Sequence, residues 1–101
     1  MNPRHPSWYF HTLGLSYYEV GRYKEALASL KQYNNPPFFV HRTLAAVYVR
    51  LGRLDEARVE VSELLKKKSD YTCKMENLRP YKDPTQRDRF INDLRKAGVP
   101  E

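Results

Sequence analysis

The sequence predicts an all-α fold, two helical hairpins stacked as a short right-handed solenoid and closed by further helices at the C-terminus. Three observations predict it. The chain repeats itself at an offset of 31 residues, apolar residues recur at three- and four-residue spacing within each copy, and glycine or proline falls where that spacing breaks.

Slid by that offset, Leu13, Tyr17, Gly21, Arg22, Glu25 and Ala26 align with Leu44, Tyr48, Gly52, Arg53, Glu56 and Ala57. The register extends to Tyr23 with Leu54, Lys24 with Asp55 and Leu30 with Val61. Phe10, Leu13, Tyr17 and Val20 make one apolar face, and Ala26, Leu27 and Leu30 make a second. Gly21 and Gly52 interrupt these faces and suit the left-handed conformation that ends a helix. Gly-Arg-Tyr and Gly-Arg-Leu then lead directly into a second helix. The unit is helix, tight turn, helix.

Asn34-Asn35-Pro36-Pro37 separates the two copies, its asparagines and first proline ending one helix and its second proline suited to the start of the next. After Lys68, Ser69-Asp70 is placed to cap a short helix reaching about Leu78. Arg79-Pro80-Tyr81-Lys82 breaks it, Asp83-Pro84 starts a last helix with Phe90, Ile91 and Leu94 as its apolar face, and Gly98 and Pro100 stop it. Six helices are expected, at roughly 5–20, 23–33, 37–51, 54–67, 71–78 and 84–97. All belong to one domain, 1–101, with hairpin 1 at about 5–33, hairpin 2 at about 37–67 and the C-terminal helices at about 71–97.

A chain of 101 residues buries on the order of 65% of its unfolded surface, enough for one thin core but little for a deep enclosed active site. Hydrophobic residues make up 41% and charged residues 30%, and no apolar run approaches the roughly 18 residues needed to span a bilayer. The N-terminal Met-Asn-Pro-Arg-His-Pro lacks a secretory pattern, and Cys73, the only cysteine, has no intrachain partner. A soluble, cytoplasmic protein is the expectation. The net charge of +6 is spread along the chain. Its densest basic zone, Arg42, Arg50, Arg53, Arg58 and Lys66 to Lys68, reads either as an attractor of anionic partners or as a solvated face whose lysines complement a helix C-terminus.

Leu13-Gly14, Tyr17, Gly21, Ala26 and Leu30, at a period in the low thirties, resemble the tetratricopeptide repeat. In the second copy Ala45 stands for the family's first-helix glycine, and the joint at 34–37 is short for the family. A wider resemblance runs through Asn2-Pro3, Pro6, Trp8-Tyr9, both hairpins, Pro80-Tyr81-Lys82-Asp83-Pro84 and Leu94-Arg95-Lys96-Ala97-Gly98. These are similar to the C-terminal repeat region of bacterial class III adenylate cyclases, which implies a signalling context. It does not imply cyclase activity, because the nucleotide-cyclising domain has no counterpart in the 101 residues.

Chemistry-bearing motifs are scarce. Glycines 14, 21, 52 and 98 fall at helix crossings and helix ends rather than in a phosphate loop. His5, His11 and His41 are too far apart for an i,i+4 metal pair, and Cys73 has no second cysteine for zinc. Asp55, Glu56, Glu60 and Glu63 suit i,i+4 salt bridges with Arg53, Arg58 or Lys67 rather than acid–base catalysis. No catalytic residue, cofactor or metal is expected. Eight tyrosines, four phenylalanines and one tryptophan could stack on nucleic acid, but most occupy core register, and the modest charge argues against that partner.

In the tetratricopeptide family the first helix of each pair lines the concave surface where a partner segment lies. By register this resemblance implies a partner-binding groove of His11, Leu15, Tyr18 and Glu19 with Arg42, Ala46, Val49 and Arg50. Tyr18 is the aromatic anchor, and Arg42 and Arg50 suit a carboxylate. The competing reading is that these residues contact the C-terminal helices. Leu15 and Ala46 replace the asparagines of the family's carboxylate clamp, which argues against chaperone-type tail capture. Two hairpins are few, so the C-terminal helices are expected to cap the apolar end, while the Trp8-Tyr9-Phe10 edge invites a preceding repeat or a second copy. The leading expectation is a non-catalytic module for a protein or peptide partner. The alternatives are a homodimer through the N-terminal aromatic edge, and a binder of anionic ligands or nucleic acid through the basic zone.

Overall fold

The computed structural model describes residues 7–33, 36–78 and 83–100. Its elements are α1 (Ser7–Glu19), α2 (Tyr23–Leu30), α3 (Phe38–Arg50), α4 (Leu54–Lys67), a 3-10 segment (Cys73–Leu78) and α5 (Pro84–Ala97). The fold is all-α and built on two antiparallel hairpins, α1–α2 and α3–α4. The expectations resting on Asn2-Pro3, His5, Pro6, Asn34-Asn35 and Arg79 to Lys82, and on the side chain of Trp8, lie outside the described residues.

The two hairpin turns are built alike. Gly21 and Gly52 have φ of 83° and 75°, left-handed values that cost a residue with a Cβ about 1 kcal/mol or more. That geometry lets the Arg22 N–H donate to the Tyr17 carbonyl and the Arg53 N–H to the Tyr48 carbonyl, each at 2.8 Å, closing the end of the first helix. Each arginine then opens the second helix. Arg22 pairs with Glu25 and lies 5.6 Å over the Tyr17 ring, while Arg53 pairs with Glu56 and lies 5.1 Å over Tyr48.

Inside hairpin 1 the helices cross at Gly14. A Cβ there would lie 2.6 Å from Leu30 Cγ, so the missing side chain sets how closely α1 approaches α2. The second hairpin puts Ala45 and the smaller Val61 at the equivalent positions, both buried.

Helix α3 departs from the one-sided amphipathic reading. Every residue from Val40 to Tyr48 is buried, including His41, Arg42 and Thr43, because α1, α2, α4 and α5 all pack against α3. His41 reaches across the hairpin, its Nδ1 2.8 Å from Glu60 Oε1. Glu60 therefore serves an inter-helix contact rather than an i,i+4 bridge. The neighbouring pairs, Arg53–Glu56, Arg58–Asp55 and Lys66–Glu63, form at i,i+3.

Two expected helices differ in extent. Helix α2 stops at Leu30 instead of 33, because the chain turns to bring the Tyr33 hydroxyl onto the backbone N–H of His11 at 3.1 Å and the Tyr33 ring edge-on to Phe10 at 6.2 Å. The expected fifth α-helix, at 71–78, is the 3-10 segment. There the Met75 N–H donates to the Thr72 carbonyl three residues back, and the Cys73 N–H is taken by the Pro100 carbonyl at 2.7 Å.

Helix α5 follows its sequence signals closely. Asp83 accepts from the Thr85 N–H at 2.9 Å, Pro84 fills the first turn, and Arg95 and Lys96 stand in the last. Gly98, at φ 107°, ends the helix and lets the Val99 N–H return to the Leu94 carbonyl at 3.0 Å. The helix packs along α3 and touches α4 and the 3-10 segment, burying Phe90, Leu94 and Ala97. It covers the apolar end of hairpin 2.

Candidate protein-binding groove

The residues assigned to the groove divide into two sets. Tyr18, Arg42, Ala46 and Arg50 form the first. Tyr18 is 2% exposed, Ala46 and Arg42 are buried, and Arg50 keeps 33% of its side-chain surface in solvent. Three of them meet α5 in direct contacts. The Tyr18 hydroxyl donates to Asp93 Oδ2, and Arg50 Nε donates to the same oxygen at 2.8 Å. The Phe90 ring stands edge-on to Tyr18, centroids 5.6 Å apart, and the Arg42 guanidinium lies 5.8 Å from its centroid.

His11, Leu15, Glu19 and Val49 form the second set, and all are half-buried. His11 Nε2 lies 3.0 Å from Thr43 Oγ1, and its ring is edge-on to Phe39 at 4.8 Å, so it joins α1 to α3. Leu15 and Val49 pack against the core from its margin.

The electrostatics follow from burial. Asp93 sits on the inner face of α5 with 2% of its side chain exposed. A buried carboxylate needs charge-assisted partners, and it has one from α1 and one from α3. Burial, the Asp93 hydrogen bond and the Asp93 charge hold the Tyr18 hydroxyl well above the ordinary tyrosine range. For Arg50, burial pulls the other way, but the hydrogen bond and charge of Asp93 outweigh it and raise the guanidinium further.

Sequence reasoning placed Phe90 and Leu94 on the apolar face of α5 but passed over Asp93. Its signal is the spacing: an acidic residue three positions after Phe90 and beside Leu94 falls within the apolar stripe. The His41–Glu60 contact had no comparable signal, since nothing local links residues on facing helices. A shallow surface hollow of about 370 Å³, lined by Gly21 to Glu25 and Leu51, brings together no catalytic constellation. Among the described residues there is no group of three or more potential metal ligands, and no helix is long and apolar enough to cross a membrane.

A fold of stacked helical hairpins with glycine-terminated first helices defines a helical-repeat protein. A family model described as Tetratricopeptide repeat matches residues 39–62, most of the second hairpin, in keeping with the all-α hairpin fold. Proteins with this repeat generally mediate protein–protein interaction and are typically non-enzymatic. Searches of curated proteins and of solved structures find no match, and the likeness to cyclase C-terminal regions gains no support from these comparisons.

Proposed function

We propose that this chain is a non-catalytic protein-interaction module whose partner-facing surface is formed by the first helices of its two hairpins, α1 and α3. One observation carries the reading: that surface already holds a helix, α5, through an aromatic contact, a buried carboxylate and an aliphatic face. These are the features of helix-in-groove recognition. The half-buried margin of His11, Leu15, Glu19 and Val49 is where a partner segment gains its first contacts. A place at the regulatory end of a cyclase-like signalling protein, in a bacterial cytoplasm, is a narrower form of this proposal and rests on sequence resemblance alone.

Selection of helical peptides from a random display library on the full chain tests the module. Enriched peptides are expected to lose about tenfold or more in affinity when Glu19→Arg or Val49→Glu is introduced, since both lie at the half-buried margin. Peptides that bind equally well to both substituted chains would reject α1 and α3 as the docking surface.

A second reading is favoured by Tyr9, which is exposed at the N-terminal end of α1 and stands edge-on to Phe10 at 5.3 Å. Self-association through that edge predicts a concentration-dependent dimer weakened by Tyr9→Ser.

A further inference from the structure

We propose that the surface of Tyr18, Arg42, Ala46 and Arg50 recognises one class of partner, an amphipathic helix carrying an aromatic residue, an acidic residue three positions on and a leucine directly after it, and that α5 is a resident copy of that ligand. The inference rests on the reading of α1 and α3 as partner-facing and specifies what they read.

Phe90, Asp93 and Leu94 provide the pattern. Their spacing puts all three on one side of a helix, and all three are buried. The outward positions Asn92, Arg95 and Lys96 are exposed, so the groove imposes no chemistry on them.

Each element of the pattern has its own reader. The aromatic ring is held between Tyr18 and the Arg42 guanidinium. The carboxylate is the discriminating element, because Asp93 Oδ2 receives donors from both hairpins, Tyr18 from α1 and Arg50 from α3. A helix with an apolar or basic residue at this place would bury the Tyr18 hydroxyl without an acceptor, and one with an amide would keep that acceptor but lose the charge that Arg50 pairs with. Rejection of the wrong ligand follows from the groups left unpaired. A carboxylate bridging α1 and α3 also senses the angle between the hairpins, so the ligand is selected for charge and for the groove's shape together.

A tethered helix competes at an effective concentration on the order of millimolar. An incoming helix of this class therefore gains access when α5 is weakened or opens, and α5 sets the affinity threshold a partner must exceed.

The experiment uses the full chain and a labelled peptide with the sequence of residues 83–100. Expected is binding to the Phe90→Ala/Asp93→Ala chain about tenfold or more tighter than to the wild type, and a loss of about tenfold or more when the peptide carries Asp93→Asn. Equal binding of the two peptides, or none to the folded double variant, would overturn the proposal. Should the double variant not fold, native-state hydrogen exchange on the wild type decides. Amides of Phe90 to Ala97 are expected to exchange through an opening that leaves those of Val40 to Tyr48 protected, and exchange of both sets only together would overturn it. Library peptides that depend on Glu19 or Val49 but lack the aromatic, acidic and leucine pattern would leave the interaction module standing and refute this specificity.

Discussion

Asp93 and Arg50 share one hydrogen bond but not one environment. The carboxylate keeps 2% of its side-chain surface in solvent and the guanidinium 33%, so losing one partner is not equivalent to losing the other. Arg50→Met leaves a buried charge with the Tyr18 hydroxyl as its one remaining side-chain donor among the described residues, and we expect it to cost about 2–4 kcal/mol in urea denaturation. Asp93→Asn leaves Arg50 able to hydrate and Tyr18 still facing an amide oxygen, so a smaller loss, about 1–2 kcal/mol, is expected. Tyr18 adds a pH dependence. Its native pKa is raised above its unfolded value of about 10, so the stability it contributes is complete below pH 10 and falls as pH rises beyond it, because the unfolded chain ionises first. Denaturation at pH 9 and pH 11 should show a smaller loss for Tyr18→Phe than for the wild type, by up to about 1.4 kcal/mol.

Within the helical elements, the two hairpins solve the same crossing with different volumes, glycine against leucine in one and, by register, alanine against valine in the other. Gly14→Ala improves helix propensity by about 1 kcal/mol but drives a methyl group onto Leu30, so a net loss of about 1 kcal/mol is expected. Leu30→Val alone should cost about 1 kcal/mol through the gap it leaves. Combined, they reproduce the pairing of the second hairpin, and a double-mutant cycle read by thermal or urea unfolding should give a favourable coupling of about 1 kcal/mol. Most element ends were legible: Gly21, Gly52 and Gly98 take the left-handed conformation expected of them, and Asp83-Pro84 starts α5. The segments that misled, 31–33 and 71–78, are those whose backbone or side chains answer to distant partners. Tyr33 is drawn to α1, and Cys73 to Pro100.

In the molecule as a whole, α5 and its tail close one end of the repeat. Val99 is buried, and the Cys73 thiol, also buried, lies 3.7 Å from the Val99 carbonyl. Cys73 is therefore a built-in reporter of tail docking. Its alkylation by a neutral thiol reagent should be slow in the wild type and about tenfold or more faster in Val99→Asp, with little change in helical content. The partition between sequence and tertiary structure is clearest at this scale. By itself the sequence determined the helical hairpins, their turns and the cap of the last helix, because apolar periodicity, left-handed glycines and an Asp-Pro start act within a few residues of one another. Only the tertiary structure decided that α3 is buried from Val40 to Tyr48 and that α5 lies against Tyr18 and Arg50. Asp93 meets Arg50 and Tyr18 across separations of 43 and 75 residues, and no local preference encodes a contact that exists only once the hairpins have stacked and excluded water between them.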